Sequence, residues 1–132
     1  DEDLAWIENL PVAISWEDAL VVHGGVHPDV PLDEHDVDKL ENTRAMNPGD
    51  SYDGPFWFEH YEGPNRVFFG HTVLAHPAVF EYAMGLDTGA VYGCSLTAYH
   101  LHADEIVAID VDETHESRKD SKILEPRQPA LA

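Results

Sequence analysis

The sequence is poor in basic residues and in cysteine, and each scarcity excludes a class of protein. Only 7 of its 132 residues are Lys or Arg, against 26 that are Asp or Glu, so the formal net charge is -19. Binding to DNA, RNA or an anionic membrane needs clustered basic side chains, so we expect neither a nucleic-acid polymer nor a membrane as a partner. The single cysteine, Cys94, excludes an internal disulfide and a cysteine-rich zinc site, and it fits a cytoplasmic protein.

Long hydrophobic runs are also missing. No stretch reaches the roughly 18 apolar residues of a membrane helix, and no signal peptide is visible. The chain nevertheless has a hydrophobic fraction of 43%, with 3 Trp, 5 Tyr and 5 Phe, which a disordered acidic chain would lack. An acid-rich surface with few basic groups is typical of proteins that stay soluble in molar salt. We therefore expect a halophilic source, with an acidic protein of an ordinary source as the alternative.

Short apolar segments separated by turn residues indicate a mixed α/β fold. Leu4, Ile7 and Leu10 recur at helical spacing, whereas the later apolar segments have the length of strands. The predicted elements are helices over residues 4–10, 37–46 and 57–61, strands over residues 12–16, 19–22 and 67–69, and a hairpin of residues 96–101 and 106–111. Residues 1–112 are expected to form the domain, and the polar residues 113–132 a loose tail.

Two predicted strands end in a histidine beside glycine. "ALVVHGG" places His23 after an apolar run and before Gly24 and Gly25, and "RVFFGHT" places His71 directly after Gly70. Loops at the carboxyl ends of strands are where open sheets bind ligands, and imidazole is the commonest metal ligand among side chains. Glycine beside such a residue lets the backbone turn sharply and lets an ion or a phosphate approach closely.

Each of these histidines alone is more often a hydrogen-bonded structural residue than a ligand. The pairing of His23 with His71 favours a shared metal ion, although two imidazoles supply only half of a site. The other histidines lie in loops, on polar faces or in the tail, where solvated or packing roles are expected. They are His27, His35, His60, His76, His100, His102 and His115, of which His76 keeps the alternative of a substrate or second-site contact.

Three motifs in a fixed order carry a resemblance to a known family. They are "VVHGGVHP", "FFGHT" and "GLDTGAVYGCSLTAYHL", within residues 12–101. This set resembles the C-terminal half of calcineurin-like metallophosphoesterases, in the branch that holds the phosphoprotein phosphatases and the symmetrical diadenosine tetraphosphatases. The resemblance implies a β-sandwich flanked by helices, with two divalent metal ions at one edge. Mn is the expected metal, with Fe or Zn as alternatives.

The resemblance also implies roles for individual residues. His23 and His71 would be ligands of the second metal ion. Asp87 in "GLDTG" matches a family position near the site, where it either orients a ligand or fixes the loop. Arg44 in "NTRAM" lies where these phosphatases often place an arginine that clamps the phosphate, and a solvated helix residue is the equal alternative. The residues expected around the phosphate are Gly24, Gly25, Gly70 and Thr72.

The motifs of the first half of that family do not occur in this sequence. "GD-HG", "GD--DRG" and "GNH", which supply the aspartates, one histidine and an asparagine, are missing, and "GDSYDG" at residues 49–54 lacks the arginine and follows "HGG". The chain opens at Asp1 in what looks like the middle of a helix. We therefore expect the C-terminal part of a longer metal-dependent phosphatase, inactive by itself. Its reaction would be hydrolysis of a phosphate monoester or a phosphoanhydride in a phosphoprotein or a nucleotide.

Two other functions stay open at this point. A non-catalytic binding domain that keeps the fold but lacks the metal centre would also explain the missing motifs. An unrelated two-histidine metal-binding protein would leave the "GLDTG" block as a coincidence. Cys94 stands where the relatives commonly have glycine, which we interpret as a packing difference and not as a reactive thiol.

The acidic composition predicts that salt stabilises the fold. Molar KCl screens the repulsion among exposed carboxylates, so the melting temperature should rise as KCl is raised to molar concentration. Scanning calorimetry over a KCl series measures the effect. A melting temperature that falls steadily with added KCl would contradict the halophilic interpretation.

Overall fold

The computed structural model describes residues 1–47, 49, 52–114 and 123–125, and it confirms the predicted mixed α/β class. Three single turns of 3-10 helix lie at Leu32–Glu34, Trp57–Glu59 and Ala90–Tyr92. The helices and strands are α1 (Glu2–Glu8), β1 (Ala13–Trp16), β2 (Ala19–Val22), α2 (Val37–Asn42), β3 (Arg66–Phe69), β4 (Ala78–Val79), β5 (Ala83–Gly85), β6 (Ser95–His100) and β7 (Glu105–Asp110).

Five of these strands form one sheet in the order β1-β2-β3-β5-β4. The three central strands run parallel, with Val21 opposite Phe68 and Phe68 opposite Met84. The outer strands β1 and β4 are antiparallel to their neighbours. Because parallel strands point the same way, the carboxyl ends of β2, β3 and β5 lie at one edge of the sheet.

Side chains that alternate along β2 and β3 divide the sheet into two apolar faces. Leu20, Val22, Val67 and Phe69 belong to the larger core cluster. Trp57 covers this face, fully buried, with its ring centroid 4.8 Å from that of Phe69. The aromatic 3-10 turn therefore covers this face of the sheet.

The opposite face packs against a separate antiparallel hairpin formed by β6 and β7. Phe68 stacks on Tyr99 of β6 with a centroid distance of 5.4 Å, and Arg66 donates a hydrogen bond from Nη1 to the Tyr99 hydroxyl. The predicted hairpin is confirmed, with each strand one residue earlier than expected. Sheet and hairpin together make two layers of a sandwich.

Helix α2 ends four residues earlier than the sequence predicted, and this changes the environment of Arg44. Asp36 caps the helix by accepting from the Lys39 N–H, but Thr43 leaves it in an extended conformation at φ -61° and ψ 124°. Ala45 then forms an antiparallel bridge with Phe56. Arg44 is therefore buried, with 6% of its surface exposed, and the alternative of a solvated helix residue is wrong.

Apolar side chains of helix α1 and of the edge strand β1 remain exposed. Trp6 and Ile7 of α1 are 66% and 55% exposed, and every residue of that helix is exposed. Ile14 and Trp16 of the edge strand β1 are 54% and 48% exposed. No helix in the described residues is both long and apolar enough to cross a membrane.

Most of the predicted tail, residues 113–132, lies outside the described residues. Within its described part, Leu124 forms a parallel bridge with Leu74. The Leu124 N–H donates to the Val73 carbonyl, and the Leu124 carbonyl accepts from the Ala75 N–H, each at 2.9 Å. The division at residue 112 stays a prediction.

The double glycine after His23 packs directly against the end of α2. The N–H groups of Gly24 and Gly25 both donate to the Leu40 carbonyl, at 2.8 and 3.2 Å. A Cβ atom on Gly24 would lie 2.5 Å from the Glu41 carbonyl oxygen. Only glycine therefore fits at this contact between the loop and the helix.

The close contact predicts that Gly24→Ala destabilises the protein. Its free energy of unfolding should fall by about 1–3 kcal/mol, because the new methyl group would meet main-chain atoms that cannot rotate away. Gly70→Ala is the matched control, since the nearest atom to a Cβ there is 3.7 Å away. Urea denaturation of both variants measures the difference, and equal losses would contradict the assignment.

Burial of Tyr61 predicts a loss of stability at alkaline pH. Burial raises the pKa of the Tyr61 phenol, and a hydrogen bond with the Asn65 backbone acts in the opposite direction. In the unfolded chain a tyrosine ionises with a pKa of about 10. The stabilisation is thus complete below that pH and is lost as the pH rises above it.

Tyr61→Phe removes the ionisable group, so its stability should fall less between about pH 9 and about pH 11. Urea titrations at several pH values measure the slope. Tyr82→Phe makes the same chemical change on a ring at the margin of the core and controls for the loss of a hydroxyl group. The same pH dependence in Tyr61→Phe and the wild type would show that Tyr61 is not responsible.

Candidate active site

Three predicted site residues meet where the parallel strands end. His23 follows β2 directly, His71 follows β3 after one glycine, and Asp87 follows β5 after one leucine. The Gly70 N–H donates to the His23 carbonyl at 2.9 Å, which continues the pairing of β2 and β3 beyond the strands. The two imidazole centroids are 5.1 Å apart. The two histidines and Asp87 line one open cleft of about 370 Å³.

His71 occupies a strained backbone conformation. Its φ is 60°, and the Thr72 N–H donates across it to the Gly70 carbonyl at 2.6 Å. A positive φ at a residue other than glycine costs roughly 1–3 kcal/mol and is concentrated at functional sites. The tight turn fixes the direction in which the His71 ring leaves the backbone. Thr72, expected near the phosphate, is fully buried.

Arg44 joins this group from the segment after α2. Its Nη2 lies 2.8 Å from His71 Nε2, and its Cζ lies 4.1 Å from the centre of the Tyr52 ring. A guanidinium has donors only, so the imidazole nitrogen accepts this hydrogen bond. The guanidinium is thus held between an aromatic face and a histidine.

Tyr52 is a neighbour that the sequence did not reveal. It belongs to "GDSYDG", a segment considered only as a possible metal motif. An arginine and a tyrosine separated by a loop give no periodic signal, and their contact goes with the bridge between Ala45 and Phe56, which brings the two ends of this segment together. Positions 48, 50 and 51 of that loop lie outside the described residues.

Asp87 acts on the backbone of its own loop. Its Oδ1 accepts from the Gly89 N–H at 3.1 Å, and its carbonyl accepts from the Leu74 N–H at 2.9 Å. The neighbouring Thr88 is buried and donates to the Ser95 carbonyl at 2.7 Å. These bonds tie the loop after β5 both to the His71 loop and to the start of the hairpin.

The glycines expected around a phosphate differ in what surrounds them. Gly24 and Gly25 have their N–H groups engaged by the Leu40 carbonyl. A side chain on Gly25 would meet the Trp57 indole. The group that lies close to this glycine is therefore a protein side chain and not a phosphate. Gly70 differs, because it is open to addition of a Cβ and borders the cleft.

The histidine pair has the right chemistry for a divalent transition metal but too few partners. Imidazole nitrogens suit Fe and Zn, whereas Mn, the expected metal, prefers oxygen ligands such as carboxylates in addition. Among the residues that the structure describes, no group of three or more His, Cys, Asp or Glu side chains could hold a metal ion. The two-metal centre implied by the resemblance is therefore not complete in this part of the chain.

Two other histidines, His27 and His35, make hydrogen bonds within the loop before α2. His35 Nε2 accepts from the His27 N–H at 2.7 Å, and its Nδ1 lies 3.0 Å from the Pro31 carbonyl. His27 Nδ1 accepts from the Asp29 N–H at 3.2 Å. His76, which kept the alternative of a substrate contact, lies 3.3 Å from a carboxylate oxygen of Glu125.

Known proteins resemble the chain in sequence over part of their length. The asymmetrical bis(5'-nucleosyl)-tetraphosphatase PrpE of Oceanobacillus iheyensis is 38% identical over 53 residues, which cover 40% of this chain and 21% of the relative. The protein of the same name from Anoxybacillus flavithermus is 28% identical over 109 residues, 77% of this chain and 44% of the relative. The motifs suggested the symmetrical enzymes, whereas these relatives are named asymmetrical. No protein-family model matches the chain.

The fold resembles that of a solved structure. A crystal structure of a candidate diadenosine tetraphosphatase matches with a TM-score of 0.71 and 25% sequence identity, over 84% of this chain and 55% of that chain. The chain thus spans less than half the length of the two bacterial relatives and just over half of the solved chain. These similarities confirm the expected fold and support a metallophosphoesterase-like family for the chain.

Proposed function

We propose that this chain is part of a metal-dependent phosphoesterase that hydrolyses a phosphoanhydride of a dinucleoside polyphosphate. The observation that carries the proposal is the meeting of His23, His71 and Arg44 at the carboxyl ends of parallel strands. The shared fold and the names of the bacterial relatives favour a nucleotide over a phosphoprotein as the substrate.

The histidines of the cleft, and Arg44 beside His71, suit an anionic substrate. Imidazoles of His23 and His71 would hold a divalent ion, with Mn expected and Fe or Zn as alternatives. Such an ion, when bound, adds positive charge and lowers the pKa of a water molecule toward neutrality. Arg44 presents a planar fork of donors that matches two phosphate oxygens. Because the net charge of the chain is -19, this local positive charge is needed for a polyphosphate to bind.

In this proposal the remaining metal ligands come from polypeptide outside the described residues. The described part lacks a third ligand, and the matched relatives are longer than the region they share with this chain. The exposed apolar side chains of α1 and β1 offer a face on which further polypeptide would pack. The 132 residues by themselves should then bind a divalent ion weakly and hydrolyse nothing.

A non-catalytic binding domain is the second candidate function. The observation that favours it is the missing third ligand among the described residues. Such a domain would bind a phosphorylated molecule through Arg44 without turning it over. A test for metal-dependent hydrolysis distinguishes the two candidates. Only the enzyme would hydrolyse the bound molecule, and it would need both histidines to do so.

The proposal predicts that the full-length protein hydrolyses diadenosine tetraphosphate only with a divalent ion. Full-length protein here means this chain together with the polypeptide that supplies the remaining metal ligands. His23→Ala and His71→Ala should each lower kcat/KM by more than about 100-fold, because losing a ligand costs more than the 10–100-fold cost of losing a group that supports one. Release of nucleotide products with Mn²⁺ measures the reaction. Para-nitrophenyl phosphate and a phosphopeptide, tested alongside, distinguish the substrate classes.

His102→Ala is the matched control. This histidine lies in the hairpin turn, with its ring centroid 5.3 Å from that of Trp16, and it is outside the cleft. It should leave kcat/KM within about twofold of the wild type. Full activity in His71→Ala would overturn the proposal, and binding of the nucleotide without hydrolysis in Mn²⁺ would establish the non-catalytic alternative.

A further inference from the structure

The hydroxyl groups of Thr88 and Thr97, which both line the cleft, form a chain of hydrogen bonds. Thr88 Oγ1 donates to the Ser95 carbonyl at 2.7 Å and lies 2.6 Å from Thr97 Oγ1. A hydroxyl group has a single proton to donate. Because the Thr88 proton is used in the bond to Ser95, the two hydroxyls are hydrogen-bonded only if Thr97 is the donor. The chain therefore runs from Thr97 through Thr88 to the Ser95 carbonyl.

This direction makes Thr97 Oγ1 an acceptor for any ligand in the cleft. Its proton is engaged by Thr88, so only its lone pairs remain. A hydroxyl that donates within such a chain also becomes a stronger acceptor, because the bonds of the chain polarise one another. Thr97 is half-buried and lines the same cleft as His23 and His71. A ligand can therefore form a hydrogen bond with this oxygen only through a donor of its own.

Ser95, on the same face of β6, has the same property. Its Oγ donates to Asp110 Oδ1 on β7 at 2.8 Å, so this hydroxyl proton is also engaged within the protein. Asp87, which lines the cleft as well, adds a carboxylate, which only accepts when it is ionised. The cleft thus has an acceptor side, formed by the hairpin and the Asp87 loop. Its histidine side has Arg44 next to His71.

The two sides suit different parts of a nucleotide. An ionised phosphate offers acceptors only, so it matches the histidine side and is repelled by the acceptor side. The donors of an adenine nucleoside are its ribose hydroxyls and the amino group of its base. The ribose hydroxyls are fewer bonds from the phosphate than the amino group is. Leu86, Ala90 and Leu96 line the same cleft and offer apolar surface to the rest of the nucleoside.

We propose that Thr97 Oγ1 accepts a hydrogen bond from a ribose hydroxyl of the substrate, and that this contact makes the cleft selective for ribonucleotides over deoxyribonucleotides. The inference rests on the proposed function, because it takes a nucleotide as the ligand. Thr97 is then a specificity-determining residue, since a sugar without the hydroxyl leaves the acceptor without a partner. A single hydrogen bond of this kind corresponds to about 3–10-fold in affinity.

The first test measures nucleotide binding without turnover. The probe is diadenosine tetraphosphate with methylene groups in place of the bridging oxygens, compared with an analogue that lacks the ribose hydroxyls. The wild-type full-length protein should bind the ribose form about 3–10-fold more tightly than the analogue. Thr97→Val keeps the shape of the side chain without its hydroxyl, so it should bind both forms within about twofold of each other. Isothermal titration calorimetry with Mn²⁺ present measures the dissociation constants.

The controls separate recognition of the ribose from a structural role of Thr97. Thr97→Ser keeps the hydroxyl and should keep the wild-type preference for the ribose form. Thr114→Val removes a hydroxyl that donates to the Tyr92 carbonyl outside the cleft, and it should keep that preference as well. A probe with purine in place of adenine lacks the amino group. A wild-type preference for adenine that Thr97→Val abolishes would assign the contact to the base and overturn the proposal.

The outcomes distinguish this inference from the proposed function. If the wild type binds both forms equally, or if Thr97→Val keeps the preference for ribose, the inference is wrong. Metal-dependent hydrolysis of diadenosine tetraphosphate would still support the proposed function in that case. If Thr97 determines the preference but the full-length protein hydrolyses nothing, the inference holds and the non-catalytic alternative replaces the enzyme. A full-length protein that binds neither form would overturn both.

Discussion

Two strands that run parallel end at the same edge of their sheet, and here that geometry places His23 beside His71. The 2.9 Å hydrogen bond from Gly70 to the His23 carbonyl carries the pairing past the last residues of β2 and β3. Parallel pairing of β3 with β5 brings the loop of Asp87 to the same edge. An antiparallel arrangement of the same strands would separate the two histidines by the length of a strand. Everything at the cleft depends on this common direction.

The position of Arg44 depends on a second constraint, the early end of α2. Thr43 turns the chain into an extended conformation, and the bridge between Ala45 and Phe56 then holds it along the core. Had the helix continued to residue 46, helical periodicity would have set the direction of the Arg44 side chain. The packing of Gly24 against Glu41 fixes the other side of the helix end. The distance between Arg44 and His71 is thus set by backbone contacts outside the cleft.

Local patterns account for the features that the sequence predicted. The strands up to β3, the hairpin and the histidines at strand exits follow from short apolar runs bounded by turn residues, which are short-range signals. The contact of Arg44 with His71 joins residues that are 27 positions apart, and no periodic pattern encodes it. The same holds for Tyr52 under Arg44 and for Trp57 against Gly25. The motifs of the related family indicated which residues belong to the site, whereas packing decides what each of them touches.

The arrangement of charge has a kinetic consequence for any anionic ligand. A buried guanidinium beside the cleft, in contact with His71, belongs to a chain whose net charge is -19, so an approaching anion meets repulsion first and attraction only at short range. Repulsion of this kind slows diffusional encounter at low ionic strength, the reverse of electrostatic steering. At molar salt the screening length falls to about 3 Å, which removes the long-range barrier but leaves contacts inside the cleft. Ionic strength would then control how often a ligand arrives more than how firmly it is held.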